Sequence, residues 1–338
     1  MLDIVILAAG MGTRMKSELP KVLHPVAGRP MIVEVLETAH EMEANRCVVV
    51  VGYGAEQVQE VVGGDVNLVL QAEQLGTGHA VMQARETLEE SGADTVLVLY
   101  GDTPLITAAT LRRAAVYHRE RGATITLLSF LPEDPAGYGR IVRDEAGAVR
   151  AIVEHKDATE AQHAIQESNS GTLFCEAAWL WENLDKLTLS PQGEYYLTDL
   201  SALAVSQGRV VEAVTVDEQE VMGINNRVQL AEASRILWER RRHHWMMAGV
   251  TLVDPGTVWI DADVAIGRDT VVHPNVVLRG KTIIGERCKI GPHSVLENVV
   301  LGNVCDVTQS QIVDSELAAG RSVGPFAVLH GETVESPI

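Results

Sequence analysis

From residue 260 to residue 296, every sixth residue of the chain is aliphatic. A hexapeptide period is typical of a left-handed parallel β-helix, because each six-residue step forms one flat side of a triangular coil and its aliphatic side chain points inward. At ~18 residues per coil, residues 250–338 predict about five coils. The repeated positions are Ile260, Ile266, Val272, Leu278, Ile284, Ile290 and Leu296, and a looser spacing continues through Leu301, Val307, Ile312, Leu317, Val323 and Leu329.

Before residue 250 the pattern changes to apolar strands that alternate with helical stretches. Strands separated by helices form βαβ units, so we expect a Rossmann-like α/β domain with a mostly parallel sheet covered on both faces. Ligands of such sheets bind beyond the carboxyl ends of the strands. Strands are predicted over 4–9, 47–51, 96–99 and 124–129, and helices over 31–43 and 105–121.

A third segment joins these two parts. Its apolar residues recur at helical spacing amid basic residues, at Leu230, Ala233, Ile236, Leu237 and Trp245. The predicted organisation is therefore an α/β domain over 1–226, a linking helix over 227–248, and a partial left-handed β-helix over 249–338.

Charge and targeting signals narrow the class of protein. The chain has 46 acidic against 27 basic residues, a formal net charge of −19, which argues against a nucleic-acid partner because a phosphate backbone requires a basic face. The first apolar stretch is too short to span a bilayer and has no basic segment before it, so we expect no signal peptide, no membrane partner and a cytoplasmic protein. The four cysteines lack any metal-ligand spacing, which predicts free thiols without a disulfide or zinc.

The first predicted strand runs directly into a glycine turn with basic residues. Gly10 and Gly12 allow a sharp turn that brings backbone N–H groups close to an anion, and Arg14 and Lys21 add positive charge. The spacing lacks the third glycine of a dinucleotide fingerprint and the Gly-Lys-Ser/Thr of a P-loop. The turn is interpreted as a phosphate cradle, and the alternative is a strand-to-helix turn with solvated basic side chains.

Several short segments occur in order along nearly the whole chain: LAAGMGTRM at 7–15, PKVL at 20–23, QAEQLGTGHA at 71–80, LYGD at 99–102, GYGR at 137–140, VEHKD at 153–157 and GINNR at 223–227. These segments resemble the signatures of the sugar nucleotidyltransferases. More closely, they resemble the N-acetylglucosamine-1-phosphate uridylyltransferase domain of the bacterial bifunctional enzyme that makes UDP-N-acetylglucosamine.

The resemblance implies transfer of uridylyl from UTP to N-acetylglucosamine-1-phosphate, which yields UDP-N-acetylglucosamine for cell-wall (peptidoglycan) precursors and pyrophosphate. Such a reaction is an in-line displacement at the α-phosphorus and needs alignment and charge neutralisation more than a general base. By resemblance, Arg14 and Lys21 are catalytic and hold the triphosphate. Two alternatives are a glucose-1-phosphate or mannose-1-phosphate nucleotidyltransferase and a non-catalytic nucleotide-sugar-binding regulatory protein.

A divalent cation is expected, because two phosphorylated substrates repel each other and Mg²⁺ takes oxygen ligands. Asp102, at the end of a predicted strand, is the first candidate ligand, and the resemblance adds Asn225. Asp102 could instead serve as a helix N-cap or turn residue, and Asn225 as the cap of the linking helix.

The resemblance also implies which residues bind the two substrates. Glu154 could alternatively form a solvated salt bridge to Lys156, and the segment 194–199 and the histidines are expected to be structural. Backbone contacts to the nucleotide are implied for Leu7, Ala8, Ala9 and Gly10, uracil contacts for Gln71, Gly76 and Thr77, and sugar contacts for Tyr100, Gly139, Glu154 and Asn169.

The acetyltransferase activity of the bifunctional family uses a longer β-helix, and we expect it to be absent from this chain. In related proteins the flat sides of such a β-helix pack threefold, so the resemblance implies association through this domain as a homotrimer.

Overall fold

The computed structural model describes residues 1–64 and 66–334, which form two compact units. The first comprises Met1–His24 and Pro30–Gln229, and the second Pro25–Arg29 and the chain from Leu230 onward. Residues 335–338 of the predicted β-helix range lie outside the described residues. The limits of the functional domains stay a prediction.

The first unit is built on a nine-stranded sheet. Its strands are β1 (Leu2–Ala8), β4 (Arg46–Val51), β5 (Asn67–Leu70), β6 (Thr95–Tyr100), β7 (Ile125–Phe130), β8 (Arg140–Arg143), β9 (Val149–Val153), β10 (Ser168–Glu176) and β11 (Val211–Thr215), and a separate short ladder is formed by β2 (Pro25–Val26) and β3 (Arg29–Pro30). The strand order is β11-β7-β10-β6-β1-β4-β5, with a β8-β9 hairpin attached to β10. The strands run parallel except at β10, which is antiparallel to both neighbours, and at the hairpin. The predicted Rossmann-like, mostly parallel sheet is confirmed.

Helices cover both faces of this sheet. Alternate residues of β1 enter two separate apolar cores, Val5 in one and Ile4 and Ile6 in the other, as a central strand with two buried faces requires. The helices of this unit are α1 (Met31–Glu41), α2 (Ala55–Val62), α3 (Thr77–Gln83), α4 (Arg85–Leu88), α5 (Ala108–Arg121), α6 (Glu160–His163), α7 (Ala177–Asn183) and α8 (Asp199–Ser206). Helix α9 (Arg227–Met247) follows, and all but its first three residues belong to the second unit.

Two predicted helix limits are wrong by a few residues, and local geometry explains both. Helix α5 begins at Ala108 rather than at 105, because the Thr107 hydroxyl caps it by accepting a hydrogen bond from the Thr110 N–H at 3.2 Å. Helix α1 ends at Glu41 rather than at 43, since Glu43 adopts a left-handed φ of 53° that an α-helix cannot continue.

The second unit contains three five-stranded parallel sheets, the arrangement typical of a left-handed β-helix, as predicted. The seven regular hexapeptide positions are all buried, and so are Leu301, Val307, Ile312 and Leu317. Val323 and Leu329 are half-buried and pack against the same core. Its strands are β12 (Thr251–Leu252), β13 (Trp259–Ile260), β14 (Ala265–Ile266), β15 (Val271–Val272), β16 (Val277–Arg279), β17 (Ile283–Ile284), β18 (Lys289–Ile290), β19 (Val295–Glu297), β20 (Val300–Leu301), β21 (Asp306–Val307), β22 (Gln311–Val313), β23 (Glu316–Leu317), β24 (Ser322–Val323), β25 (Val328–His330) and β26 (Thr333–Val334).

The looser spacing after Leu296 follows from the pairing of successive coils. Val271 pairs with Lys289, Lys289 with Asp306, and Asp306 with Ser322. These three steps along the chain are 18, 17 and 16 residues long. The inward positions remain aligned although the period along the chain changes.

Two further expectations concern the state of the cysteines and the presence of membrane-spanning helices. Cys175, Cys288 and Cys305 are buried free thiols and Cys47 is a half-buried one. Within residues 1–64 and 66–334, none of the helices combines the length and the apolar character that crossing a membrane requires.

Candidate active site

A cleft of about 590 Å³ lies at the carboxyl ends of the central strands of the first unit. All fifteen predicted site residues line this cleft, although they come from segments spread over the first two thirds of the chain. The cleft brings them together, while their individual roles stay predictions. They are Leu7, Ala8, Ala9, Gly10, Arg14, Lys21, Gln71, Gly76, Thr77, Tyr100, Asp102, Gly139, Glu154, Asn169 and Asn225.

The glycine turn after β1 forms one end of the cleft. Gly12 has a left-handed φ of 62°, and a Cβ there would collide with the side chain of Lys21. Gly10 differs, because a Cβ at this position would meet no protein atom within 4 Å. A side chain at Gly10 would therefore occupy cleft space rather than protein, which is the condition for close approach of a ligand to the backbone.

Two cations and two oxygen ligands meet beside this turn. Lys21 Nζ contacts the Asp102 carboxylate and lies 2.7 Å from Asn225 Oδ1. Arg14 donates a second hydrogen bond to Asn225 Oδ1 at 2.8 Å. The residues of these pairs are 81 to 211 positions apart in sequence, so only the folded sheet brings them together. The side chains of Lys21 and Asp102 are 12% and 23% exposed, so this cluster is partly shielded from bulk water.

Backbone contacts hold the two oxygen ligands in place. The Asp102 carbonyl accepts a hydrogen bond from the Ile224 N–H at 2.9 Å, which fixes the loop carrying Asn225. The Asn225 N–H donates to Gln229 Oε1 at 2.8 Å. Asn226, and not Asn225, provides the side-chain cap at the start of α9, since its Oδ1 accepts hydrogen bonds from the N–H groups of Val228 and Gln229. The interpretation of Asn225 as the cap of this helix is therefore wrong.

The opposite wall of the cleft carries Glu154, which lies between β9 and a short helical turn. Its Oε1 accepts a hydrogen bond from the Thr198 hydroxyl at 3.0 Å. Burial raises the pKa of Glu154, and the nearby charges of Asp199, Asp157 and Glu194 raise it further, while the Thr198 bond opposes the shift. Among the ion pairs of the described residues there is none between Glu154 and Lys156, so the salt-bridge alternative finds no support.

Asn169 and Gly171 shape the same wall through an irregular stretch of β10. The Asn169 N–H donates to the Gly139 carbonyl at 2.8 Å, and Asn169 Oδ1 accepts from the Gly171 N–H at 3.1 Å. Gly171 has a φ of 89°, and a Cβ there would lie 2.6 Å from Cε2 of Tyr100. Burial, together with the Glu154 and Asp102 charges, raises the pKa of the Tyr100 hydroxyl, so this hydroxyl stays protonated.

Gln71, Gly76 and Thr77 lie beside the start of α3. Gln71 is only 3% exposed, and its Nε2 donates to the Gly76 carbonyl at 3.0 Å. Gly76 has a φ of 97°, and a Cβ there would lie 2.7 Å from the Tyr195 carbonyl oxygen. The Thr77 hydroxyl oxygen accepts from the Leu197 N–H at 3.1 Å. The segment around Tyr195 thus supports this end of the cleft.

That segment, which the sequence analysis expected to be mainly structural, also contributes residues to the cleft. Glu194, Tyr196 and Thr198 line the cleft, and Thr198 contacts Glu154 directly. Residues 197 and 198 form a turn rather than an extended strand, with Thr198 at φ −62° and ψ −24°, so no simple spacing in the sequence identifies all three. Helix α8 begins just after them, at Asp199.

Comparison with known proteins adds evidence from both units. Residues 4–169 match the family model of the MobA-like NTP transferase domain, and residues 263–303 match that of the bacterial transferase hexapeptide (six repeats). The chain is 47% identical to the bifunctional protein GlmU of Caldanaerobacter subterraneus subsp. tengcongensis over 98% of its own length and 72% of that protein. It is 48% identical to the bifunctional protein GlmU of Enterococcus faecalis over 96% of its own length and 71% of that protein.

Proposed function

The chain belongs to the GlmU family and is a nucleotidyltransferase of that family, and from this premise we propose that its cleft transfers uridylyl from UTP to N-acetylglucosamine-1-phosphate. The products would be pyrophosphate and UDP-N-acetylglucosamine, a precursor for the cell wall. The observation that carries the proposal is the convergence of Arg14, Lys21, Asp102 and Asn225 at the glycine turn.

Charge placement supports phosphoryl chemistry at this cluster. Arg14 and Lys21 would hold the triphosphate and neutralise charge that develops on the departing pyrophosphate. The open space beside Gly10 would let backbone N–H groups approach the same oxygens. The sugar phosphate is already an anionic nucleophile at neutral pH, so the step requires alignment with the α-phosphorus and no general base.

The oxygens of Asp102 and Asn225 suit Mg²⁺. Both are hard oxygen donors, and both contact one ammonium group, Lys21 Nζ, so they already converge on a cation. No cluster of three or more His, Cys, Asp or Glu side chains suited to a metal occurs in the described part of the chain. A protein that supplies only two ligands leaves the remaining positions to phosphates and water, as is usual for Mg²⁺. When bound, Mg²⁺ would neutralise phosphate charge and keep the two substrates from repelling each other.

The far wall of the cleft would bind the sugar. The Glu154 carboxylate would accept hydrogen bonds from sugar hydroxyls, and such charge-assisted bonds orient a ligand strongly. Tyr100, Gly139 and Asn169 line the same wall and offer both donors and acceptors. Leu7, Ala8, Ala9 and Gly10 would contact the nucleotide through their backbone, and Gln71, Gly76 and Thr77 would contact uracil.

The proposal is tested by pyrophosphate release with a panel of substrates. UTP plus N-acetylglucosamine-1-phosphate with Mg²⁺ should release pyrophosphate, and an EDTA control should abolish the release. Glucose-1-phosphate, mannose-1-phosphate, CTP and ATP serve as competitors for specificity. Release with glucose-1-phosphate or mannose-1-phosphate alone would favour another sugar nucleotidyltransferase. Binding of UTP without any turnover would favour a regulatory protein.

The β-helix supports a further proposal of trimeric assembly through this unit. One of its sheets aligns exposed apolar residues in neighbouring coils, where Ala265 pairs with Ile283 and Ile283 with Val300. Ile283 is 50% exposed, which favours burial against another copy. Light scattering coupled to size exclusion tests the stoichiometry. The absence of acetyl transfer stays a prediction, which an assay with acetyl-CoA and glucosamine-1-phosphate would check.

A further inference from the structure

His79, on the first turns of α3, lies directly behind the Gln71 amide. Nε2 of Gln71 is 3.0 Å from the Gly76 carbonyl oxygen and 3.1 Å from Nδ1 of His79. A primary amide has two N–H donors: the Gly76 carbonyl accepts one, and Nδ1 of His79 accepts the other in the tautomer that carries its proton on Nε2. Within the described part of the chain no donor reaches Oε1 of Gln71, and this residue lines the cleft.

The two acceptors fix which way the Gln71 amide faces. A carbonyl oxygen such as that of Gly76 can only accept, so turning the amide by half a rotation would set two oxygens against each other. The same rotation would aim the amide oxygen at the Nδ1 lone pair of His79. Gln71 is buried, which makes an unmatched polar contact there costly. The amide oxygen therefore faces away from Gly76 and His79, and the cleft that Gln71 lines is where a ligand could reach it.

A hydrogen-bond acceptor that faces the ligand, such as Gln71 Oε1, would distinguish uracil from cytosine. Uracil carries an N–H donor at N3, whereas cytosine carries a lone pair there. Gln71 Oε1 would accept from N3–H of uracil and would repel N3 of cytosine. A site built to bond a substrate N–H rejects an analogue that lacks it, because the buried group is then left unpaired. Resting on the proposed function, we propose that His79 is a positioning residue that sets the preference for UTP over CTP by holding the Gln71 amide in this orientation.

The other ring nitrogen of His79 is compatible with this role. Gln83, one helical turn further along α3, places its amide 3.2 Å from Nε2 of His79. A neutral imidazole has one donor and one acceptor, so only one of the two amides can donate to the ring. Gln83 is half-buried, so its amide can turn to present its oxygen to Nε2 of His79 and leave the His79 carbonyl to water, whereas the buried Gln71 amide cannot turn in this way. Nδ1 is therefore the acceptor, and Nε2 carries the proton.

Two substitutions that carry the same amide group on side chains of different length test the role of His79. In His79→Asn the amide oxygen lies close to the former position of Nδ1, so Gln71 retains its acceptor. In His79→Gln the amide is carried one bond farther, towards the former position of Nε2. His79→Leu removes the acceptor altogether. Calorimetry of UTP and CTP binding in the presence of Mg²⁺ gives the ratio of the two dissociation constants for each variant, and circular dichroism checks folding.

Expected results follow from the loss of about one hydrogen bond. The wild-type protein should bind UTP more tightly than CTP, and His79→Leu and His79→Gln should reduce that ratio about tenfold. His79→Asn should stay within about twofold of the wild type. A ratio unchanged in His79→Leu, or equal losses in His79→Asn and His79→Gln, would overturn the assignment, as would a wild-type protein without preference.

Failure of the proposed function gives a different result. Binding is measured without turnover, so a protein that prefers UTP through His79 but releases no pyrophosphate would refute uridylyl transfer and leave the role of His79 intact.

Discussion

The β-helix and the nine-stranded sheet use their buried residues differently. In the β-helix each coil buries an aliphatic residue at an equivalent position, so Leu278 stacks in register on Leu296 and Leu296 on Ile312. In the sheet unit the cleft residues do not occupy repeated, equivalent positions. They depend instead on long-range contacts such as that of Arg14 with Asn225, 211 positions away. Substitutions in the β-helix should therefore affect stability, whereas those at the cleft should affect chemistry.

The largest expected effect is that of Lys21→Met, which removes the ammonium but keeps most of the apolar stem. Loss of a group that stabilises developing charge should lower kcat/KM about 10³-fold, with little change in the thermal midpoint. Lys16→Met is the matched control, because Lys16 is an exposed lysine of the same loop. Equal losses in both variants would show that the net charge of the loop, and not the position of Lys21, matters.

Leu278→Ala tests the other side of the comparison. Leu278 is fully buried, so the cavity left behind should lower the free energy of unfolding of the β-helix by about 2–5 kcal/mol. Urea unfolding would measure this, and the exposed neighbour in Arg279→Ala should change stability by no more than about 0.5 kcal/mol. Uridylyl transfer by the folded Leu278→Ala protein should be unchanged, and a large loss would contradict the division between the two units.

Glu154→Gln should weaken binding of the sugar phosphate and stabilise the fold. Losing a charged acceptor should raise KM for the sugar phosphate by about 10- to 100-fold. Because burial raises the pKa of Glu154 in the folded state, its ionised form opposes folding, and the variant should be more stable than the wild type at neutral pH.

The pH dependence of this gain has a defined sign. A carboxyl group with a raised folded pKa contributes stability below its unfolded pKa and loses that contribution as the pH rises through the folded value. The advantage of Glu154→Gln should therefore shrink as the pH falls, in melts of both proteins from neutral pH to pH 4. A gain that grows on acidification would contradict the assigned cause.

Gly171→Ala should have the smallest of these effects, confined to the sugar wall. A Cβ there would press on the Tyr100 ring, so KM for the sugar phosphate should rise about tenfold, as for the loss of one good contact. Gly147→Ala is the control, since Gly147 also has a positive φ, of 83°, but no atom within 4 Å of the added Cβ. Both variants carry the same kind of backbone strain, so only the contact with Tyr100 separates them.

The sequence was most informative where a pattern repeats or a motif is local. The inward positions from Ile260 to Leu296 were predictable one by one, because a period of six reports burial directly. The glycine turn after β1 was equally visible. Helix limits such as the start of α5 were not, because the cap at Thr107 decides them.

Long-range side-chain contacts were the part that the sequence could not supply. Nothing near Asn225 indicates that its amide faces Lys21 while that of Asn226 caps α9. The role of Thr198 beside Glu154 likewise depends on the fold that joins residues 44 positions apart. A sequence pattern describes neighbours along the chain, whereas these contacts are set by where strands end in the sheet.

The most direct test of the account is the rate of UDP-N-acetylglucosamine formation by Asp102→Asn, at saturating UTP and N-acetylglucosamine-1-phosphate across a range of Mg²⁺ concentrations. Asparagine keeps the shape of the side chain and removes its charge, so folding should be preserved. The account predicts a rate at least about 10²-fold lower than that of the wild type. A wild-type rate with an unchanged Mg²⁺ dependence would show that the cluster of Lys21, Asp102 and Asn225 is not where the reaction takes place.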